Sequence, residues 1–422
     1  MKKILASAAI LLLSISAFAK NVSRADAQAV AQKHFGGSAV ATYVWGDETT
    51  KASGDAPAYF VFNNPAGGWV IVSGEDVTSP ILGYSKTGSF KTEGMPSNVS
   101  GWFDKIRADI SRARKAGAVQ SAQARAKWQS VGAVTKADGG KLLKTAEWDQ
   151  LAPYNDSCKV ACKGKAVCTG CVATAMAIVV RYNEWPAQGV GTVPSYRTYT
   201  NNYSIPARNM AHSFNYSNMP LTDGSATTWT TAEKQAVAQL MLDCGAMVQM
   251  DYDVEGSGAY STDVAQALSK YMCYAPTAHE TIRSLYSNNE WLGLLKEEIN
   301  AGYPIIYGGS SGDDGGHQFV IDGYDTDSNV HVNWGWGGYD NGYFPVCYLE
   351  LDDYVFSDYD AAILGLRKGT AGSSSDTKTA EILLGSYPEL ASGSIAKGST
   401  FSISSLNFIN TSYYVSYKGK IK

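Results

Sequence analysis

The chain has 422 residues, a formal net charge of -4 at pH 7 and 45% hydrophobic residues. That length suggests two or three domains. So small a net charge gives no reason to expect nucleic acid or an anionic membrane surface as a partner.

The chain opens with Lys2 and Lys3, an apolar run from Ile4 to Ile15, and Ala17-Phe18-Ala19. A short basic region, an apolar core and small residues at the two positions a signal peptidase reads make 1–19 an export signal, expected to be cut after Ala19. The stretch is too short for a membrane anchor, and no later stretch is long and apolar enough to span a bilayer. No cysteine stands near the cut to carry a lipid. The protein is therefore expected to be exported, without a membrane partner once the signal is removed.

Residues 20–140 form the first region. Ser23 with Asp26 is a capping-box pair, and a helix is expected through Ala27, Val30 and Ala31. Ala58–Phe62 and Gly68–Val72 read as strands around an Asn-Pro-Ala-Gly turn. Trp102, Ile106 and Ile110 recur at helical spacing, and that helix should fade near Ala116-Gly117. This is a small α+β domain with no evident catalytic set. His34, its one histidine, reads as a surface or boundary residue. From Ala118 the residues turn small or polar, and Val134–Gly140 reads as an exposed linker open to proteolysis.

Residues 141–366 hold the chemistry. Thr169-Gly170-Cys171 leads into a run of small and apolar residues that reads as a buried helix ending before Pro186. Thr230 with Glu233 caps a second helix, Ser261–Val264 a third, and Glu290–Ile299 forms a fourth. Strands are expected at Ile305–Tyr307, Gln318–Tyr324, Val330–Trp334 and near Tyr343. Helices first and strands second make an α+β domain. Residues 367–422 form a Ser/Thr/Asp-rich linker and a short β-rich tail, with strands expected at Ala380–Leu384, Phe401–Ile403 and Tyr413–Tyr417.

Seven cysteines is an odd number, so one lacks an intramolecular partner and is a candidate reactive thiol. Cys171 sits where unpaired helix N–H groups stabilise a thiolate. Cys158, Cys162, Cys168 and Cys171 lie within fourteen residues, which raises a zinc site. The gap between the two pairs is short, however, and Cys171 runs straight into an apolar helix. The Cys168-Thr169-Gly170-Cys171 spacing also fits a redox motif, but the βαβ pattern it needs is absent. No metal or cofactor is implied. Two of Cys158, Cys162 and Cys168 are expected to form a bridge.

Cys171 needs a base. His317 follows a glycine-rich loop and begins an apolar strand, so spacing favours it over His331, which shares a strand face with Asn333. His212 and His279 sit in poorly patterned stretches. Asn333 can accept from one imidazole nitrogen of His317, with Trp334 or Trp336 shielding that contact from water. Gln150 has no special status by spacing, yet its amide can reach the nucleophile across a loop and donate to an oxyanion. Nucleophile, base and orienting amide are the parts of a cysteine hydrolase.

The chain from about residue 20 to 365 resembles the streptopain family of secreted bacterial cysteine proteases, which includes interpain-like enzymes. The matching segments are Gly68–Asp76, Trp148-Asp149-Gln150, Pro153-Tyr154-Asn155, Thr169–Ala177, Gly316-His317, Val320–Tyr324 and Val332–Gly338. The resemblance implies a papain-like cysteine protease domain at 141–366, His317 as the base and Gln150 in the oxyanion hole. It also implies that 20–140 is an inhibitory propeptide, an intramolecular partner for the enzyme, and that Ser257 and Gly316 contact substrate. The enzyme it describes is a secreted, monomeric endopeptidase made as a zymogen and acting on proteins or peptides. Six cysteines besides Cys171 and the third region depart from the best-known member's pattern. An inactive or adhesive protein, or a hydrolase of non-peptide amides, on the same scaffold is the alternative.

Overall fold

The computed structural model describes residues 20–37, 40–47, 56–95, 97–132, 140–225, 228–310, 316–346 and 360–374, with four short strands beyond them. The signal segment, most of the linker, Cys347 and Tyr413–Tyr417 lie outside the described residues.

Helix α1 (Arg24–His34) starts as its cap predicts: the Asp26 N–H donates to Ser23 Oγ at 3.1 Å. It buries Ala27, Val30 and Ala31 on one face of an antiparallel sheet, β1 (Thr42–Gly46), β2 (Tyr59–Asn63), β3 (Trp69–Ser73) and β4 (Ile81–Ser85). Helix α2 (Ser97–Lys115) covers the other face with Phe103, Ile106 and Ile110. Both faces are covered, which is why β2 and β3 are continuous apolar runs rather than alternating ones. The stretch read as a polar approach to the linker instead contains helix α3 (Ala122–Ser130). It has no apolar stripe and buries only Ala124; the Ser121 cap and a Trp128 Nε1–H bond to the Thr78 carbonyl at 2.8 Å hold it.

The second region begins with β5 (Lys141–Leu142), then helices α4 (Asp156–Ala161) and α5 (Cys171–Asn183). Two small strand pairs follow, β6 (Thr192–Val193) with β9 (Arg208–Asn209) and β7 (Tyr196–Arg197) with β8 (Ser204–Ile205). Helices α6 (Thr231–Met247), α7 (Val264–Tyr271) and α8 (Asn288–Ala301) come next; full capping boxes, Thr230/Glu233 and Ser287/Glu290, start α6 and α8. The strands are β10 (His279–Ile282), β11 (Ile305–Ser310), β12 (Gly316–Tyr324), β13 (Asn329–Asn333), β14 (Gly342–Pro345) and β15 (Ala361–Leu364). Beyond them, β16 (Ile382–Leu384) pairs with β19 (Phe408–Asn410) and β17 (Glu389–Leu390) with β18 (Ile403–Ser405).

One sheet runs through both regions, in the order β1-β2-β3-β4-β14-β13-β12-β11-β15-β10, with β5 paired to the end of β12. The join is a single residue pair, Tyr84 opposite Tyr343, whose rings stack at 5.1 Å. Gly83 and Gly342 make it possible. A Cβ on Gly83 would stand 2.7 Å from the Phe344 ring, and one on Gly342 2.6 Å from the Tyr84 carbonyl. Trp69, Phe90 and Phe103 from the first region share one apolar cluster with Trp334 and Phe344 from the second. The Tyr84 hydroxyl donates to Asp325 at 2.7 Å, and His34 stands edge-on to Tyr84. The Tyr339 hydroxyl donates to the Lys91 and Glu93 carbonyls.

Asp340 closes this seam. Its Oδ1 accepts the Lys91 N–H at 3.1 Å, and burial raises its carboxyl pKa to about 7. A raised folded-state value means that folding takes up a proton. The neutral form's contribution is intact below the unfolded value of about 4 and is lost as pH rises toward 7. Asp340→Asn keeps the acceptor and removes the charge. In a Cys171→Ala background, its thermal midpoint should gain on that of Asp340 between about pH 4 and 7 and level off above. A difference that stays constant with pH, read by calorimetry, would mean that Asp340 titrates normally.

Candidate active site

Helix α5 packs against β12. Val320 joins the cluster of α5 residues Val172, Ala173, Met176 and Ala177, whereas Ile321 joins the cluster on the opposite face. Strand alternation therefore puts Gln318 with Val320 toward α5 and His317 with Phe319 and Ile321 away from it.

Cys171 is the first residue of α5. Gly170 before it takes φ 88°, a conformation that side chains avoid, and a Cβ there would press on Met250 and the Ser257 carbonyl. The backbone N–H groups of Gln318, Val172 and Cys171 itself act on the thiol and favour its ionised form. Burial raises the thiol pKa, and these three donors offset part of that rise. Burial lowers the His317 pKa. Both shifts favour the neutral forms, thiol and imidazole. Among the described residues, no hydrogen bond joins the His317 ring to Cys171 or to Asn333.

Gln150 is buried and tied to the nucleophile segment, because the Thr169 N–H donates to its carbonyl at 3.1 Å. Its own N–H and that of Leu151 donate to Asp149 Oδ1. Asn333 is buried as well. Its Nδ2 donates to Thr145 Oγ1 at 3.0 Å and to the Ala146 carbonyl at 2.9 Å, while its Oδ1 accepts the Gly335 N–H at 3.1 Å. Trp334 is buried, donates from Nε1 to the Asp340 carbonyl, and packs tilted against Phe319 and edge-on against Phe344. Trp336 is partly exposed, with a buried indole N–H that has no partner among the described residues. Ser257 spends its hydroxyl inside the protein. It donates to the Cys168 carbonyl at 2.8 Å and accepts the Asp253 N–H at 3.0 Å. Gly316 is exposed at the start of β12. His331 is committed elsewhere, with Nδ1 on Asp322 at 2.5 Å, and Thr145 bridges that pair to Asn333.

The expected bridge among Cys158, Cys162 and Cys168 does not form; all three are free thiols, as are Cys171, Cys244 and Cys273. Their side chains take separate partners. Cys158 Sγ faces the Tyr252 hydroxyl at 3.8 Å and Cys168 Sγ the Val254 carbonyl at 3.7 Å. Burial pushes the Cys158 thiol up to about 12 and the Cys162 thiol to about 11, so both stay protonated and inert. Gln318 received no role in the sequence reading. A glutamine inside an apolar strand carries no spacing signal.

Residues 148–344 match the peptidase C10 family, and residues 19–110 match the Spi protease inhibitor. Streptopain of Streptococcus pyogenes is 30% identical over 324 residues, covering 73% of this chain and 80% of streptopain. The chain belongs to the peptidase C10 family. It is a cysteine endopeptidase with an inhibitor-like domain ahead of the peptidase C10 domain. The thiol protease/hemagglutinin PrtT of Porphyromonas gingivalis is also 30% identical, over 78% of this chain, but the chain spans only 37% of PrtT. The solved structure of prointerpain A of Prevotella intermedia, in a mutant form, superposes with a TM-score of 0.63 at 30% identity, over 79% of this chain and 100% of that one. The α+β, papain-like reading and the streptopain resemblance both stand on these matches. Among the described residues, no helix is long and apolar enough to cross a membrane.

The raised Cys171 thiol predicts a slow nucleophile in the uncut chain. Alkylation by iodoacetamide should follow a pH midpoint at or above the ~8.5 of a free cysteine. Mass spectrometry would report both the modification and the intact length. Fast alkylation of uncut chain near pH 6 would show a thiolate already formed.

Proposed function

We propose that this peptidase C10 protein is exported as a zymogen. Residues 1–19 are the signal, 20–140 the inhibitory propeptide, 141–366 the catalytic domain, and 367–422 a linker and β-rich segment. Protein or peptide chains are the substrates, and the enzyme works as a monomer outside the cell or at its surface. The observation that carries the mechanism is the placement of Cys171 at the head of α5, which packs against β12, the strand that bears His317. A helix N-terminus favours a thiolate there, against the burial that raises the thiol in the uncut chain.

Cys171 attacks the scissile carbonyl carbon as a thiolate, and His317 as imidazolium gives its proton to the leaving amine. The Cys171 N–H and the Gln150 side-chain amide receive the oxyanion. Water, deprotonated by His317, then clears the acyl-enzyme. Asn333 orients the histidine, Trp334 and Trp336 keep water from that pair, and Ser257 and Gly316 border the substrate path. In the uncut chain no hydrogen bond links the His317 ring to Cys171 among the described residues, and burial favours the neutral form of each. The first region packs on the cluster that includes Trp334 and Phe344, behind the strand bearing His317. That packing supports an inhibitory role. Activation then requires a cut between the end of α3 and β5, since Lys141 is already paired into the sheet.

Cys171→Ala should therefore accumulate at the full exported length, and added active enzyme should trim it between Gly132 and Lys141, as read by mass spectrometry. Rapid self-processing of that variant would remove Cys171 from the mechanism.

Gln150→Ala in processed enzyme should lower kcat by roughly 10²–10³-fold, with KM changed far less. A near-normal kcat would reduce Gln150 to a residue of the fold.

A further inference from the structure

Gln318 places a second group at the reacting centre. It lies on β12 where that strand packs against α5, the helix that Cys171 opens. Its side chain stands on the α5 face of β12 and is 4% exposed. Its Oε1 is buried and has no hydrogen-bond partner among the described residues. The neighbouring strand offers it nothing. Gly308 is its register partner, and a Cβ there would already stand 3.4 Å from Gln318 Nε2. The Ser257 hydroxyl, also near the nucleophile loop, is used within the protein.

A buried acceptor left unpaired is costly, and such groups are rare in folded proteins. An apolar side chain of similar size would fill the same space without that cost. We propose that Gln318 Oε1 is a specificity-determining acceptor: it pairs with a hydrogen-bond donor on a substrate side chain at one of the two residues just on the acyl side of the scissile bond. The substrates it selects carry threonine, glutamine, asparagine or a cationic side chain there, in preference to apolar side chains of the same shape. A site built to hydrogen-bond a substrate rejects the analogue that leaves its own polar group unpaired far more strongly than an apolar pocket rejects an extra methyl. This inference rests on Cys171 being the nucleophile.

The test uses processed enzyme and fluorogenic peptides that differ only as Thr against Val, or Gln against Met, at each of the two positions. Wild type should favour the donor peptide by about 10-fold or more in kcat/KM at one position. Gln318→Leu should bring that ratio to one or invert it, while still cleaving the apolar peptide. Gln318→Glu should shift the preference toward lysine and arginine, which keeps the proposal testable if the leucine variant folds poorly. An absent donor preference in wild type, or a ratio unchanged within about twofold in both variants, overturns the assignment. Loss of all turnover in Cys171→Ala tests the nucleophile separately. If that variant remains active, the mechanism fails, whatever the ratios show.

Discussion

The contact between α5 and β12 is the constraint on which the site depends. A helix N-terminus carries unpaired N–H groups. Where α5 meets β12, the Cys171, Val172 and Gln318 N–H groups all favour the ionised form of one thiol, against the rise that burial imposes. The contact is held by apolar packing, with Val172, Ala173, Met176 and Ala177 against Val320 and Ile306. The polar elements around it are tethered to the same few residues. Thr169 holds Gln150, Cys168 holds Ser257 and the Asp253 carbonyl, and Asn333 is fixed through Thr145 to Asp322 and His331. Tight packing on one side and closed hydrogen-bond networks on the other leave the thiol little freedom.

His317 is less tightly bound. It lies near the start of β12, on the face turned toward the cluster shared with the first region. Phe319, two residues on, packs on Trp334, and Trp334 packs on Phe344, which Trp69 and Trp102 touch from the other side. A continuous line of aromatic rings thus leads from the first region to the strand that carries the histidine. Aromatic pairs are direction-specific, so this line of rings fixes how the first region packs against that strand's neighbours.

Elements that declare themselves locally were legible in the sequence. Ser23/Asp26 and Thr230/Glu233 announce helix starts through hydrogen bonds made within four residues, and the apolar run after Cys171 has no other use than burial. The apolar strands that form β2, β3, β12 and β13 read directly, as did the cysteine at a helix start and a histidine opening a strand. The unread parts depend on distant partners. Helix α3 has no stripe of its own and is held by Thr78, some fifty residues away. Strands β10 and β15 each need the other, across more than seventy residues. Cysteine spacing suggested a bridge, but spacing does not report where side chains point. Gln318 was missed because its significance lies in a partner it lacks, and a sequence does not record that.

The single-pair join between β4 and β14 has a further consequence. While the two regions are together, β14 is an interior strand. Once β4 moves away, β14 becomes an edge, and its N–H and C=O groups face outward as a template for any passing strand. The chain limits that liability by construction. The strand is four residues long and ends at Pro345, which has no N–H to offer. The same shortness that limits the strand pairing across the seam to one tyrosine pair would leave an uncovered β14 little edge to offer another copy.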